Sequence, residues 1–453
     1  MPTRLENHVL LYTIYALYTA LALLSFRWCP PRTAIPVIFM AGWLLLPVGH
    51  FPPAEIVGSL PWWIVGLALP SSMLATKAWV AAGAALLAGL VFDGARVRAW
   101  RPRWIDLPMA LWCLWPLIDG LVAANPAPAP WLACLYVTGS WGLPWLIGRI
   151  WIVDAADRAA LLTVIVGAGA VLLPVALVEG VAGPFLYDAL YGAHPFRTDG
   201  MVRYVGYRPL AWFENGNQYG IWIAISAVAA TWLAFLRRGG VRSRWAWPLW
   251  LVVTAMAVAA QSVGALLLAA AGIAFLALRG RAIVRPVMIA GVASVGLLGA
   301  VHLSGIVPLE HIARNTTVGQ QVLGAVRGVG RGSFTWRLSQ DAKVLPAIHA
   351  APLTGTARWD WFRPFDTRPW GLAMLILGQF GLIGLLLAFG GVIVPAVAVL
   401  FRRIGYGAWA RDDDALPLAV IVLVAMADAT LNSFVYLPAI LIAGGIAVRP
   451  RQR

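Results

Sequence analysis

Charge is what this sequence has least of. Only 12% of its 453 residues are Asp, Glu, Lys or Arg, where an ordinary soluble domain has about one quarter. Mean hydropathy is +0.79 and 61% of residues are hydrophobic. That balance excludes a water-exposed globular enzyme. Lysine is scarcer still: Lys77 and Lys343 are the two lysines, so arginine carries nearly all the positive charge. The cysteines are Cys29, Cys113 and Cys134, with no metal or redox spacing, and they read as packing residues. H-E-x-x-H, G-x-S-x-G and a Walker lysine are missing, which removes the familiar zinc-hydrolase, serine-hydrolase and P-loop readings. The period-two alternation of a β-barrel is absent. So is a convincing internal repeat, and an inverted-repeat transporter is not supported.

Long apolar runs fill the chain instead. They fall at 8–26, 34–50, 58–73, 76–92, 106–124, 131–149, 158–182, 218–236, 246–262, 263–279, 286–304, 371–400, 415–431 and 434–448. Runs of about 17–25 apolar residues suit a bilayer, where backbone groups find no water and must pair within a helix. The fold class expected is all-α, a polytopic membrane protein of about 12–14 transmembrane helices, the run at 58–73 being weak enough to be re-entrant. The run 8–26 has no small-residue cleavage site after it and reads as a retained span. The parts are an N-terminal bundle (1–182), a motif-bearing region with a first external loop (183–304), a large external loop containing short helices (305–370), and C-terminal helices (371–453).

The net charge of +15 invites a nucleic-acid reading, but the arginines sit in short blocks between apolar runs. The blocks at 93–104, 237–245, 279–285, 402–403 and the tail can all lie on one side if the spans alternate, and that side should be cytoplasmic. Residues 183–217 and 305–370 then fall outside. Asp119, Glu179, Gln261, His302, Gln379, Asp428 and Asn432 interrupt apolar spans, each toward the outer end of its span. Such residues are costly in lipid and tend to be functional. Snorkelling would explain any one of them, whereas their shared depth points to an outward-facing polar cavity. Asp428 and Asn432, four apart, share a helix face.

Three segments have residues suited to chemistry. Arg203-Tyr-Val-Gly-Tyr-Arg208-Pro-Leu-Ala-Trp-Phe-Glu214-Asn215-Gly-Asn217-Gln218 brings two arginines and a carboxylate to a helix start. Arginine holds phosphate through a planar fork, and a helix N-terminus adds free N–H groups. An amide N-cap with interface arginines is the plainer reading. Gly324-Ala-Val-Arg327-Gly-Val-Gly330-Arg331-Gly-Ser333 reads as a flexible loop before it reads as an anion cradle. Residues 334–350 suit a short surface helix with Phe334, Leu338, Val344, Leu345 and Ile348 apolar; beyond it, tryptophans interleave with Arg358, Asp360, Arg363, Asp366 and Arg368. Arginines concentrated on a side that basic residues normally avoid imply a bound anion, and a lipid-linked phosphate fits.

The order of these elements resembles a known family. Arg208-Pro209 is followed by Phe213-Glu-Asn-Gly-Asn217, Gln261-Ser262-Val-Gly264, Trp336-Arg337, Pro352-Leu-Thr-Gly355 and Gly378-Gln-Phe-Gly381-Leu-Ile-Gly384. Over roughly residues 200–390 the chain looks like the O-antigen ligase and O-antigen polymerase-like membrane family. The resemblance implies an inverting, metal-independent glycosyltransferase without cofactor, in the bacterial inner membrane with its active site facing the periplasm. Its implied partners are an undecaprenyl-diphosphate-linked oligosaccharide, membrane lipids and a chain-length regulator, with no nucleic acid. It makes Arg208 and Arg337 the leading diphosphate ligands, with Arg203, Arg331 and Arg358 in reserve. Glu214 is the first candidate general base, followed by Asp341, Asp360 and Asp366. Two departures stand out: Trp370-Gly371 occupies the place of the ligases' histidine, and Val263 follows Ser262 where many members have arginine. A polymerase is therefore expected ahead of a ligase to a lipid or protein acceptor. An anionic-lipid transporter would need polar groups through the full membrane depth.

Overall fold

The computed structural model describes residues 4–47, 76–123, 130–191, 194, 202–237, 244–281, 283–307, 309–328, 332–404 and 413–447. Among them the regular structure is helical, apart from an isolated β-bridge between Val202 and Tyr207. The expected apolar runs become helices within a few residues of their expected limits; the run at 58–73 lies outside the described residues. Among the described residues, five helices are long and apolar enough to cross a membrane: Val9–Arg27, Trp104–Val122, Ala155–Ala182, Gly216–Leu236 and Leu372–Phe401. Shorter apolar helices of 10–17 residues include Pro31–Leu45, Lys77–Phe92, Ala246–Ala259, Val263–Leu278, Ala415–Ala429 and Leu437–Ile446.

Helix ends segregate by their polar contacts. At one end of the bundle, Arg32 reaches Asp157 at 2.7 Å and Asp154 at 3.1 Å, and Arg96 reaches Asp157 at 3.0 Å. Arg149 grips Asp106 with Nε at 2.5 Å and Nη2 at 3.0 Å, while Trp145 donates to the same carboxylate. Arg237 lies 3.1 Å from Asp414, whose other oxygen accepts from Trp232. These pairs tie the starts of Pro31–Leu45, Leu107–Val122, Ala155–Ala170 and Ala415–Ala429 to the ends of Lys77–Phe92, Leu143–Trp151 and the 216–236 helix. Alternation of the helices then brings residues 179–183, 207–217, 260–263, 302–305 and 428–437 to the opposite end. The core between the ends is apolar and aromatic: Trp43 meets the rings of Phe213, Trp222 and Tyr436 edge-on at 5.1–5.2 Å. Gly148 and Gly444 let the Leu143–Trp151 and Leu437–Ile446 helices touch backbone to backbone, where any Cβ would strike Leu441 or Trp145. Small residues at such contacts are how apolar helices pack without water to drive them together.

Two elements differ from expectation. Residues 309–350 form three helices, Leu309–Asn315, Thr317–Gly328 and Gly332–Ala350, so Gly324 to Gly328 is helical and not a flexible loop. The expected span 371–400 is broken at Gly381, whose φ of 67° leaves the helical region. The break exposes backbone groups within an apolar helix, and the segment after Gly332–Ala350 fills them. Leu382 N–H donates to Pro352 O at 2.9 Å and Ile383 N–H to Leu353 O at 3.2 Å. In return Thr356 N–H donates to Gly378 O at 3.0 Å and Ala357 N–H to Gln379 O at 2.8 Å. The two motifs Pro352–Gly355 and Gly378–Gly381 are thus one structural unit, each supplying the partners the other lacks.

Candidate functional site

The polar end of the bundle is built around the start of the Gly216–Thr231 helix. Asn215 is its N-cap, its Oδ1 accepting from the N–H groups of Asn217 and Gln218, both at 3.0 Å. The plain capping reading therefore holds for Asn215, and it leaves Asn217 free for another contact. Arg208 donates Nη1 to Asn217 Oδ1 at 3.0 Å and Nη2 to Gln261 O at 2.8 Å. Its aliphatic stem lies over Gly216, where a Cβ would collide with it. The segment carrying Arg208 is held from behind by Glu179, whose Oε2 accepts from Leu210 N–H at 2.8 Å and Ala211 N–H at 2.7 Å. Gln261 clasps Val205 through both its amide groups, at 3.1 Å and 2.7 Å.

Arg337 arrives from the Gly332–Ala350 helix. It donates Nη1 to Leu431 O at 2.7 Å and to Asn432 Oδ1 at 3.0 Å. Asn217 Nδ2 donates to the same Asn432 oxygen at 3.3 Å, so one amide links the Arg208 and Arg337 sides. Asn432 Nδ2 in turn donates to Asp428 Oδ1 at 2.8 Å. The Ala415–Ala429 helix ends before Asn432, so the pair meets across a turn and not along a continuing helix. Trp370 lies between two guanidinium groups, its ring 5.8 Å from Arg337 and 5.3 Å from Arg368. Its N–H donates to Asp341 Oδ1 at 3.2 Å, and Asp341 Oδ2 lies 3.0 Å from His302 Nε2. Arg368 donates Nη2 to Ser433 Oγ at 2.6 Å.

Beneath this lies Glu214, 5% exposed. Burial pushes its carboxyl up to about 7, against the pull of Lys77, Gln218 and Arg368. Burial likewise lowers Arg368 to about 10, with Glu214 acting to raise it. Lys77 Nζ donates to Trp212 O at 2.9 Å.

Of the residues singled out from the sequence, Arg208, Arg337 and Glu214 come together, with Asp341 bracing Trp370 at the edge. Arg203 is exposed, and its backbone N–H donates to Gly206 O at 3.1 Å. Arg358 and Asp360 pair with each other at 3.1 and 3.2 Å, the arginine about half exposed, and neither is joined to the Arg208–Asn432–Arg337 network by these contacts. Arg331 lies outside the described residues. Of the interrupting polar residues, Glu179, Gln261, His302, Asp428 and Asn432 all brace the two expected loops or their arginines, which snorkelling does not explain. Lys77, Arg368, Trp370 and Ser433 join the site without having been assigned to it. Lys77 had one signal, its rarity, while 135 residues separate it from Trp212. Among the described residues no group of three His, Cys, Asp or Glu is placed to hold a metal ion. Compared with known proteins, the chain matches no family model and no curated protein.

Proposed function

We propose that the chain is a polytopic membrane glycosyltransferase of polysaccharide-polymerase type, with the ion-paired end in the cytoplasm and the Arg208–Arg337 end outside. The membrane reading is supported by an inverted surface: Leu21, Leu297, Leu298 and Leu386 are more than 60% exposed while Glu179 and Asp119 are fully buried. Among the described residues, the end crowded with Arg–Asp pairs also carries Arg96, Arg98, Arg101, Arg103 and Arg237 from the arginine blocks, as positive-inside charge requires. The observation that carries the function is the linkage of Arg208 and Arg337 through Asn217 and Asn432. Two guanidinium groups from distant segments are held by the same pair of amides, which orients their forks toward one place. A diphosphate is the group that such forks match, and the resemblance to O-antigen polymerases supplies the undecaprenyl carrier and its oligosaccharide.

In this reading the acceptor hydroxyl attacks the anomeric carbon of the donor sugar. The new oxygen–carbon bond forms as the bond from that carbon to the diphosphate oxygen breaks, with inversion. The electron pair leaves on the diphosphate, whose added charge the guanidinium groups stabilise in place. The acceptor proton passes to the Glu214 carboxylate. Trp370 has no proton to exchange at the histidine place of the ligases, which favours polymerase over ligase. The polar residues that interrupt the apolar spans gather toward one end of the bundle, which disfavours transport. The test is elongation of lipid-diphosphate-linked repeat units by purified protein. Glu214→Gln and Arg208→Ala are each expected to abolish it while the protein stays inserted. Polymer of normal length from either folded variant overturns the assignment.

A further inference from the structure

Lys77 is out of place by ordinary rules. It opens the Lys77–Phe92 helix, where the helix dipole disfavours a cation, and it is only 2% exposed. A buried charge is costly unless paired. The chain also uses arginine almost everywhere else, so a lysine here is a departure from its own habit. The two side chains do different work: arginine presents a fork, lysine a compact point charge. Lys77 gives one hydrogen bond to Trp212 O at 2.9 Å and sits 5.9 Å from the Phe213 ring centroid. Those contacts hold the ammonium beside residues 212 and 213, next in the chain to Glu214, whose carboxylate attracts it.

Three elements close around that carboxylate. Lys77 comes from the helix it opens, Gln218 from the Gly216–Thr231 helix, and Arg368 from the segment before Leu372. Gln218 accepts the Glu214 N–H at 2.9 Å and turns its own amide to Glu214 Oε1 at 3.5 Å. His194 Nε2 lies 2.9 Å from Phe213 O, one residue away. Arg368 is anchored on Ser433, so its position is fixed from the far side. We propose that Lys77 is a positioning residue that, together with Arg368, loosens the hold of buried Glu214 on its proton and so favours the carboxylate that can take one. Lys77 acts on Glu214 through its charge, from a place fixed at Trp212 O and the Phe213 ring; only the source of the proton, an acceptor hydroxyl, rests on the transferase reading. Without the ammonium, Glu214 would keep its proton to higher pH.

The experiment labels the purified full-length protein in detergent with dicyclohexylcarbodiimide, which attacks protonated carboxyl groups in apolar surroundings. Mass spectrometry of the Glu214 peptide then gives the pH midpoint of labelling. Lys77→Gln keeps a donor for Trp212 O but removes the charge, and the midpoint is expected to move up by about one unit or more, the usual effect of a close opposite charge. Lys77→Arg, which keeps the charge, is expected to stay within about half a unit of the parent. Lys77→Met is a second charge-free variant, and whichever of the two remains monodisperse carries the measurement. An unchanged midpoint in a folded charge-free variant overturns the inference, because a merely structural lysine would leave Glu214 untouched. In the elongation assay the rising limb of the pH profile is expected to shift with the labelling midpoint. A shifted midpoint with an unshifted profile upholds the action of Lys77 on Glu214 and overturns Glu214 as the base of the transfer.

Discussion

Single residues at the polar end divide sharply by what holds them. Arg208 is buried and Arg337 half-buried, both held by amide and carbonyl oxygens, whereas Arg358 is half exposed and pairs with Asp360 at the surface. Exposed pairs contribute about 0–1 kcal/mol and are readily exchanged for water. Arg337→Ala is therefore expected to lower the elongation rate by roughly a hundredfold or more, the scale of losing one preorganised donor. Arg358→Ala is expected to stay within about threefold of the parent, as for a screened surface ion pair. Equal losses in the two variants would remove the distinction. Glu214 makes a second claim at this scale. Its folded carboxyl is raised to about 7 by burial, above its unfolded value. The folded state then holds its proton where the unfolded state has released it, so its contribution to stability is full below the unfolded value and is lost as pH rises toward 7. Thermal unfolding in detergent should show a midpoint that falls across that window, and Glu214→Gln should flatten the fall. An identical slope in the variant would mean that Glu214 does not titrate there.

Elements were legible in the sequence where one physical rule governed them. Apolar length alone placed the helices, because lipid leaves an unpaired backbone no alternative. The break at Gly381 was not legible. No proline marks it, and it exists because a segment almost thirty residues earlier in the chain supplies the missing partners, as in Leu382 N–H to Pro352 O at 2.9 Å. The helix through Gly324–Gly328 was missed for a related reason: glycine weighs against a helix locally but does not forbid one. At the candidate site, Arg208, Glu214 and Arg337 were singled out because each lies in a short motif readable along the chain. Lys77 and Arg368 were not, since only tertiary packing brings them to Glu214. The Gly381 unit yields its own prediction. Any Cβ there meets Leu353 and the backbone adopts φ 67°, so Gly381→Ala carries both strain and collision. Strain of this kind costs on the order of 1–3 kcal/mol. The variant is expected to unfold at lower temperature and to become cleavable by protease near residues 352–357. Gly390→Ala, in the same helix with open space around it, is the control and should change neither.

The whole molecule is organised by a difference between its two ends. One end pairs arginine with aspartate across helix termini, as Arg149 does with Asp106 and Arg237 with Asp414. At the other end Arg208 and Arg337 reach amide and carbonyl oxygens, and both meet at Asn432 through Asn217. A bilayer between the two ends explains both: the first carries topology charge, and the second would be an unfavourable place for arginine unless a ligand compensates. The proposed function requires one orientation of the chain. With Cys29, Cys113 and Cys134 replaced by alanine, a single cysteine at position 358 should react with a membrane-impermeant maleimide in cells whose outer barrier alone has been opened. A single cysteine at position 98, in the exposed arginine block after the Lys77–Phe92 helix, should react only after the inner membrane is breached. The reverse pattern would put Arg208 and Arg337 on the cytoplasmic side, where arginines need no ligand to account for them. It would remove the physical reason for reading their shared amides as the seat of a lipid diphosphate.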